Sequence, residues 1–90
     1  MGLELKGMVI LGNATVGANF VWNENHSDEI DGINTVFVMD NSFVAGFTKV
    51  KYNGQELTLG VDYQENSDTE IELLFVPVVG DTLIFDYLKD

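Results

Sequence analysis

The sequence predicts a small all-β domain, an antiparallel β-sandwich of immunoglobulin-like or jelly-roll-like type that carries a β arm at its N-terminus. Its β-branched and aromatic residues come in short runs, which is the composition of strands. Clusters of Gly, Asn, Asp and Ser separate these runs roughly every eight to twelve residues, the turn spacing of sandwiches and barrels. No segment shows the apolar period of a helix, so the chain is expected to contain strands and turns only.

Size and composition indicate a single folded domain with a thin stability margin. A chain of 90 residues has room for one core, and a domain of this size buries only about 60% of the surface that its unfolded form exposes. A hydrophobic content of 46% with one proline is typical of a globular protein. The absence of cysteine excludes disulfides and thiolate metal sites, so stability must come from apolar contacts and oligomerisation.

The charge of the chain excludes two classes of partner. Four lysines, no arginine and fifteen acids give a net charge of −11, which repels nucleic acids and anionic membranes. No apolar run approaches the roughly 18 residues of a membrane helix, and the first residues lack the features of a signal peptide. We expect a soluble protein made in the cytoplasm, whose acidity serves solubility or faces a basic partner surface.

Composition divides the chain into three parts. Residues 1–22 form the predicted β arm, 23–34 a polar and acidic loop, and 35–90 the body of the sandwich. The arm contains a continuously apolar run at 8–11 between two glycines, which suits a strand covered on both faces. The small body offers no obvious second layer for this run. We therefore expect the arm to be an assembly or attachment segment, one that copies could exchange.

A β-hairpin at 48–59 is the clearest local prediction. Lys49 and Lys51 alternate with Val50 and Tyr52, so the lysines face solvent and the apolar side chains face the core. The Asn-Gly pair that follows at 53–54 supplies the two positive φ angles of a type I′ turn. Residues 55–59 are then expected to return as the partner strand.

The later strands carry apolar residues on both faces. In the predicted strands 69–75 and 82–88, alternate residues face the core. The expected core positions are Ile71, Leu73, Phe75, Leu83, Phe85 and Tyr87. Bulky residues on the opposite, otherwise acidic or polar faces indicate a contact with another protein. The predicted interface consists of Met8, Val9, Ile10, Leu11, Leu74, Ile84 and Leu88.

The inventory of chemical groups is too poor for catalysis. His26 is the only histidine, it lies in the polar loop, and neither cysteine nor arginine is present to complete a triad or an anion clamp. We expect a solvated histidine, no enzyme activity and no cofactor. The loop also holds Glu24, Asp28, Glu29 and Asp31, but without the alternating pattern of a calcium loop. It is interpreted as a solvated acidic segment, and a bound cation stays an open alternative.

Four aromatic residues next to loops allow two interpretations. Exposed rings on a β-sandwich can stack on sugars, whereas buried rings fill a core or an interface. The residues concerned are Phe20, Trp22, Phe43 and Phe47. The sequence favours packing, and a row of these rings on the surface would favour a carbohydrate-binding module.

Five motifs in series give the body a family resemblance. They are Gly-Ile-Asn-Thr-Val-Phe at 32–37, Lys-Val-Lys-Tyr-Asn-Gly at 49–54, Gly-Val-Asp-Tyr at 60–63, Glu-Ile-Glu-Leu-Leu-Phe at 70–75 and Pro-Val-Val-Gly-Asp-Thr-Leu-Ile-Phe-Asp-Tyr at 77–87. This series resembles a small β-sandwich module that recurs in bacteriophage virion proteins, notably tail fibres, tail appendages and small neck or head auxiliary proteins. The resemblance covers 31–87. Residues 40–46 lack the proline-containing turn usual in that module, and 1–30 match nothing in it.

The resemblance implies a non-catalytic structural component of a virion. Its partners would be further copies of itself, as a homo-oligomer, and other virion proteins. Its motif residues would have structural roles. Turns or positive φ angles are expected at Asn53, Gly54, Gly60 and Gly80. Asp62 would accept hydrogen bonds at a corner of the chain. The rings of Tyr63 and Tyr87 would lie in the core with their hydroxyls at the surface. Alternatives are a capsid decoration protein, a carbohydrate-binding module for a host-surface glycan, and an accessory domain of an enzyme.

Overall fold

The computed structural model describes residues 19–90, which fold as seven strands and one 3₁₀ turn. The strands, numbered in chain order, are β1 Phe20–Asn25, β2 Val36–Val38, β3 Phe43–Tyr52, β4 Gln55–Glu56, β5 Tyr63–Glu65, β6 Glu70–Leu73 and β7 Leu83–Lys89; the 3₁₀ turn is Ser27–Glu29. Of the predicted arm, residues 1–18 lie outside the described residues, and the predicted contacts at Met8, Val9, Ile10 and Leu11 lie there with them.

Two antiparallel sheets pack face to face, which confirms the predicted all-β fold. One sheet has the strand order β1-β7-β3-β4 and the other has the order β2-β6-β5. Phe37 of β2 and Phe85 of β7 meet between the sheets with ring centroids 6.1 Å apart. The core therefore lies between a four-stranded and a three-stranded layer, as in a small sandwich.

Strand alternation builds this core as expected at five of the six predicted positions; Phe75 lies beyond the end of β6 and is only partly buried against the core. Leu83, Phe85 and Tyr87 of β7 point inward and are almost completely buried, and Ile71 and Leu73 of β6 face them from the other sheet. Burying a side chain of this size stabilises a fold by about 1.5–3 kcal/mol. The central strand β7 pairs with both β1 and β3, so it anchors the four-stranded sheet.

The hairpin between β3 and β4 has the predicted turn but a shorter return strand than the sequence indicates. Asn53 and Gly54 have φ angles of 52° and 80°, as a type I′ turn requires. The predicted return strand 55–59 ends at Glu56. It ends because the chain turns away: the side chain of Asp62 accepts the amide of Thr58 at 2.8 Å.

The first described strand crosses the predicted boundary between arm and loop. β1 continues to Asn25, with a register shift between Val21 and Glu24. Asn23 sits at this bulge with a φ of 58°, a left-handed conformation that asparagine tolerates better than most residues. Part of the acidic segment therefore belongs to the four-stranded sheet.

Within residues 19–90 there is no helix of the length and apolar character needed to cross a membrane.

Candidate functional site

Exposed aromatic rings collect on the outer surface of the four-stranded sheet. Phe20 and Trp22 of β1 stack with their centroids 5.2 Å apart and an interplanar angle of 22°. Trp22 is 60% exposed, and Phe47 of β3 is 57% exposed. Together these three side chains border a shallow pocket of about 130 Å³ that lies over β7.

Strand register explains why these rings point outward. Phe20 pairs with Leu88, whereas its neighbour Val21 pairs with the inward-facing Tyr87. Side chains alternate along a strand, so Phe20 and Leu88 share the outer side. On β3 a second bulge between Phe43 and Thr48 contains Gly46, whose φ is 84°. We call the surface formed by Phe20, Trp22, Phe47, Ile84 and Leu88 the aromatic face.

Asp86 lies under this surface and is only 4% exposed. One carboxylate oxygen accepts the backbone amide of Asn23 at 2.7 Å, and the other lies 3.1 Å from Nζ of Lys51. A buried carboxylate needs hydrogen bonds and a counter-charge, and Asp86 has both. Its oxygens are therefore occupied by the protein, and its role is to hold the β1 bulge beneath Trp22.

The aromatic face carries no net charge, although the chain as a whole is strongly acidic. The ionisable side chains that strand alternation places on this side are Lys49, Lys51, Glu56 and Asp86, two of each sign. Residues 19–90 as a whole hold fourteen acids and three lysines. The excess negative charge therefore lies elsewhere on the domain.

A second cluster surrounds His26, and here the expectation of a solvated histidine is wrong. The residue is 4% exposed. Its Nδ1 lies 2.8 Å from Oε2 of Glu29 and its Nε2 lies 2.5 Å from Oε2 of Glu24. The ring packs edge-to-face on Phe85 with a centroid distance of 5.1 Å. The histidine is buried because two carboxylates satisfy both of its ring nitrogens.

The cluster favours a charged pair. Burial alone would lower the pKa of His26, but the hydrogen bonds to Glu24 and Glu29 outweigh it and raise that pKa. Burial alone would raise the pKa of Glu24, but hydrogen bonds from Tyr87 and His26 prevail and lower it. The hydroxyl of Tyr87 donates to Oε1 of Glu24 at 2.5 Å, and the amide of Asp40 donates to Oε2 at 3.0 Å.

The tyrosine hydroxyls are used inside the protein. Burial, followed by the hydrogen bond to Glu24, raises the pKa of Tyr87. The hydroxyl of Tyr63 donates to the carbonyl of Thr48 at 3.0 Å. Both rings lie in the core as expected, but the expected surface position of the two hydroxyls is wrong, because each tyrosine is only 1% exposed.

Asp31, the last acid of the loop, stabilises a turn. Oδ1 of Asp31 accepts the amides of Asn34 at 2.6 Å and of Ile33 at 2.9 Å, and these bonds lower its pKa. In the part of the chain that the structure describes, no three His, Cys, Asp or Glu side chains are grouped so that they could hold a metal ion.

The structure separates residues that the sequence placed together. Ile84 and Leu88 point outward from β7 on the aromatic face. Leu74 follows β6 in the other sheet, so the prediction that it shares a face with them is wrong. Phe43 also leaves the group of surface rings: it is buried against Tyr87 at a centroid distance of 5.9 Å.

An exposed apolar end was not foreseen. Three loops at one end of the sandwich carry exposed aliphatic side chains, namely Ile33, Leu59, Val61, Leu74, Val76, Val78 and Val79. Antiparallel pairing places these loops at the same end. The first residues of β2 and β5, Val36 and Tyr63, lie opposite Glu72 and Leu73 at the end of β6. The loops before β2 and β5 are therefore adjacent to the loop after β6. The run of three valines around Pro77 was the available signal in the sequence.

Comparison with known proteins gives no relative: no protein-family profile matches the chain, and no curated protein or solved structure is significantly similar to it.

Proposed function

We propose that this chain is a non-catalytic structural component of a bacteriophage virion, a building block of the tail, fibre, neck or head that acts through protein–protein contact. The observation that carries this proposal is the aromatic face. Its rings are held outward by a paired sheet, with Trp22 and Phe47 more than half exposed. Aromatic residues in the centre of a contact supply much of the binding energy of protein interfaces.

Two apolar surfaces on one small domain support an assembly role. The aromatic face lies on the side of the four-stranded sheet, and the exposed aliphatic residues lie at one end of the sandwich. Surfaces of this kind on soluble proteins commonly mark contacts with other proteins. The apolar run from Met8 to Leu11 is proposed, on its sequence alone, as a third contact segment.

The virion part of the proposal is supported by the order of the motifs and by the structural work of their residues. Gly60 and Gly80 have φ angles of 86° and 98°, which residues with a Cβ rarely adopt. Asp62 holds the corner after β4 through its bond to Thr58. These positions therefore have a structural purpose that needs no ligand.

The state of the polar clusters supports a non-catalytic role. The ring nitrogens of His26 both contact carboxylates, and both oxygens of Asp86 are bound within the chain. A general base must lie within hydrogen-bond reach of the proton that it abstracts, and both residues are only 4% exposed. Their burial supports a structural role for both groups.

Mass spectrometry of purified phage particles tests the virion proposal. Particles would be induced from the bacterium that carries the gene, purified on a density gradient and digested after glutamate, because four lysines and no arginine leave few tryptic peptides. We expect peptides of this chain to copurify with the major capsid protein, whereas an abundant host enzyme is depleted. Loss of the chain during purification, to the same degree as the host enzyme, would overturn the proposal.

A second candidate is a carbohydrate-binding module, which the stacked pair of Phe20 and Trp22 beside Phe47 favours. Aromatic rings on a sheet surface can stack on pyranose rings. A glycan array with the wild-type chain and a Trp22→Ser variant decides between the two. Binding that disappears in the variant supports the module; absence of binding to any host-surface glycan excludes it.

A further inference from the structure

We propose that the aromatic face binds the aromatic face of a second copy of this chain, which gives a two-fold symmetric dimer. The inference rests on the proposed function, because it identifies one building contact of the proposed assembly. A two-fold contact uses the same residues on both sides and is the commonest form of homo-oligomer. It therefore requires a face that can approach its own copy.

The distribution of charge favours the aromatic face as the surface that can approach a second copy. Each copy carries a net charge of −11, so most of its surface repels a second copy. On the aromatic face, Lys49 and Lys51 balance Glu56 and Asp86, and Lys51 is already bonded to Asp86. Pairing two such faces brings no net like charge together. The acidic outer surface of the three-stranded sheet, which carries Glu70 and Glu72, lacks this property.

The shape of the aromatic face is also compatible with binding to a second copy of itself. The pocket over β7 is bordered by Phe20 and Trp22 on one side and by Phe47 on the other. In a two-fold arrangement, a projecting ring of each copy can enter the pocket of the other. Two sheets can then pack at about 10 Å with strands crossing at roughly 30°, the usual geometry of aligned sheets.

The size of the face sets the expected affinity. Four strands about 4.8 Å apart and some seven residues of about 3.3 Å each give roughly 400 Å² of projected sheet. A standard interface buries about 800 Å² per partner, so this contact falls at the weak end of specific interfaces. We expect a dissociation constant in the micromolar range, about 1 to 100 μM.

Salt separates this dimer from the main alternative. A head-to-tail contact between the lysines of one copy and Glu70 and Glu72 of the next would weaken as salt screens the ion pairs. The two-fold contact would strengthen, because salt screens the repulsion between two acidic domains over a Debye length of about 10 Å at 0.1 M.

Sedimentation velocity on the full chain, from about 1 to 300 μM protein and in low and high salt, tests the proposal. We expect a monomer–dimer equilibrium that tightens with salt. Phe47→Glu should weaken dimerisation at least about tenfold, equivalent to about 1.4 kcal/mol. Val38→Glu is the matched control: it adds the same charge at an equally exposed apolar residue of the other sheet, 58% against 57%, and should change the constant less than about twofold.

A charge-neutral variant and an internal probe complete the test. Trp22→Ser should weaken the dimer without adding charge, and its circular dichroism should match the wild type because the side chain is exposed. Trp22 is the only tryptophan, so its emission should shift to shorter wavelength as dimers form. A dimer that tolerates both variants, or that weakens with salt, would overturn the two-fold contact.

The outcomes keep this inference separate from the proposed function. A chain that stays monomeric at every concentration, yet copurifies with phage particles, overturns the dimer and leaves the virion proposal standing. A chain that dimerises through Trp22 and Phe47 but is absent from particles overturns the virion proposal and supports the dimer.

Discussion

Nε2 of His26 lies 2.5 Å from Oε2 of Glu24, inside a domain where the sequence suggested a solvated histidine. Glu24 belongs to β1, and its other oxygen is bonded to Tyr87 of β7. Asp40, in the connection between β2 and β3, donates its amide to the same carboxylate. A single ionised pair therefore fastens three parts of the chain that are distant in sequence.

The pair should give the domain a defined pH optimum of stability. Because the pKa of His26 is raised on folding, its contribution to the stability of the domain is complete below about pH 6.5. That contribution is lost as the pH rises through the folded-state pKa. The lowered pKa of Glu24 means that its contribution is present above about 4.5 and is lost as the pH falls through the folded-state pKa. We expect both to be present between these values, as measured by thermal unfolding across pH.

His26→Gln is the control for this pH dependence. The variant should be less stable at every pH because it disturbs the core, but the difference from wild type should shrink as the pH rises above neutrality. The chain has one histidine, so one imidazole resonance reports its titration by NMR. A pKa at or below 6.5 would contradict the ion pair.

Tyr87→Phe should destabilise the domain by about 1–2 kcal/mol, the usual effect of removing a buried hydrogen-bonding hydroxyl. The variant keeps the ring against Phe43 but loses the bond to Glu24 and the two bonds from Asn41. Chemical denaturation measures the loss. In a double-mutant cycle with Glu24→Gln we expect a coupling of at least about 0.5 kcal/mol. Purely additive effects would show that the hydroxyl and the carboxylate do not act together.

Local sequence patterns predict the elements of this fold but not their neighbours. The inward series on β7 follows from alternation alone, and the turn at Asn53 follows from the asparagine–glycine pair. Leu74 and Ile84 look equivalent in the sequence because both interrupt a polar face. Only the pairing of β6 with β2 and β5, and of β7 with β1 and β3, shows that they lie on different sheets.

The His26 cluster and the aromatic face could not be predicted from local sequence, because both depend on contacts between distant parts of the chain. Burial of His26 depends on Glu24, whose other partner Tyr87 is 63 residues away, and no local pattern encodes that contact. For Phe20 and Trp22, the two-residue spacing indicates a common side but not which side. The bulge at Asn23 shifts the register of β1, so that Val21 and Glu24 both face inward.

Gly54→Val should destabilise the domain by about 1 kcal/mol or more, because a β-branched residue resists a positive φ. The position has a φ of 80°, and a Cβ there would meet nothing within 4 Å, so the effect isolates backbone strain. Gly54→Asn is the control and should lose less, since asparagine tolerates this conformation. Equal melting temperatures for wild type and the valine variant would contradict the strain.

Asp86→Ala should reduce the free energy of unfolding by about 2 kcal/mol, because it leaves the amide of Asn23 without its charged acceptor. Asp86→Asn keeps an oxygen for that amide and should lose less. Lys51→Met should lose under about 1 kcal/mol, since the lysine side chain is 33% exposed and the ion pair is partly screened. Denaturant titration of the three variants ranks these effects.

The same variants test whether Asp86 shapes the aromatic face. The bond to Asn23 holds the bulge beside Trp22, so Asp86→Ala should alter the emission of this tryptophan in the native state, whereas Lys51→Met should leave it unchanged. If Lys51→Met were as unstable as Asp86→Ala, the stabilising effect of Asp86 would come from its ion pair with Lys51 and not from its hydrogen bond to Asn23. Because the hydrogen bond fixes the backbone and the lysine only balances charge, we expect the alanine variant to lose both stability and dimerisation.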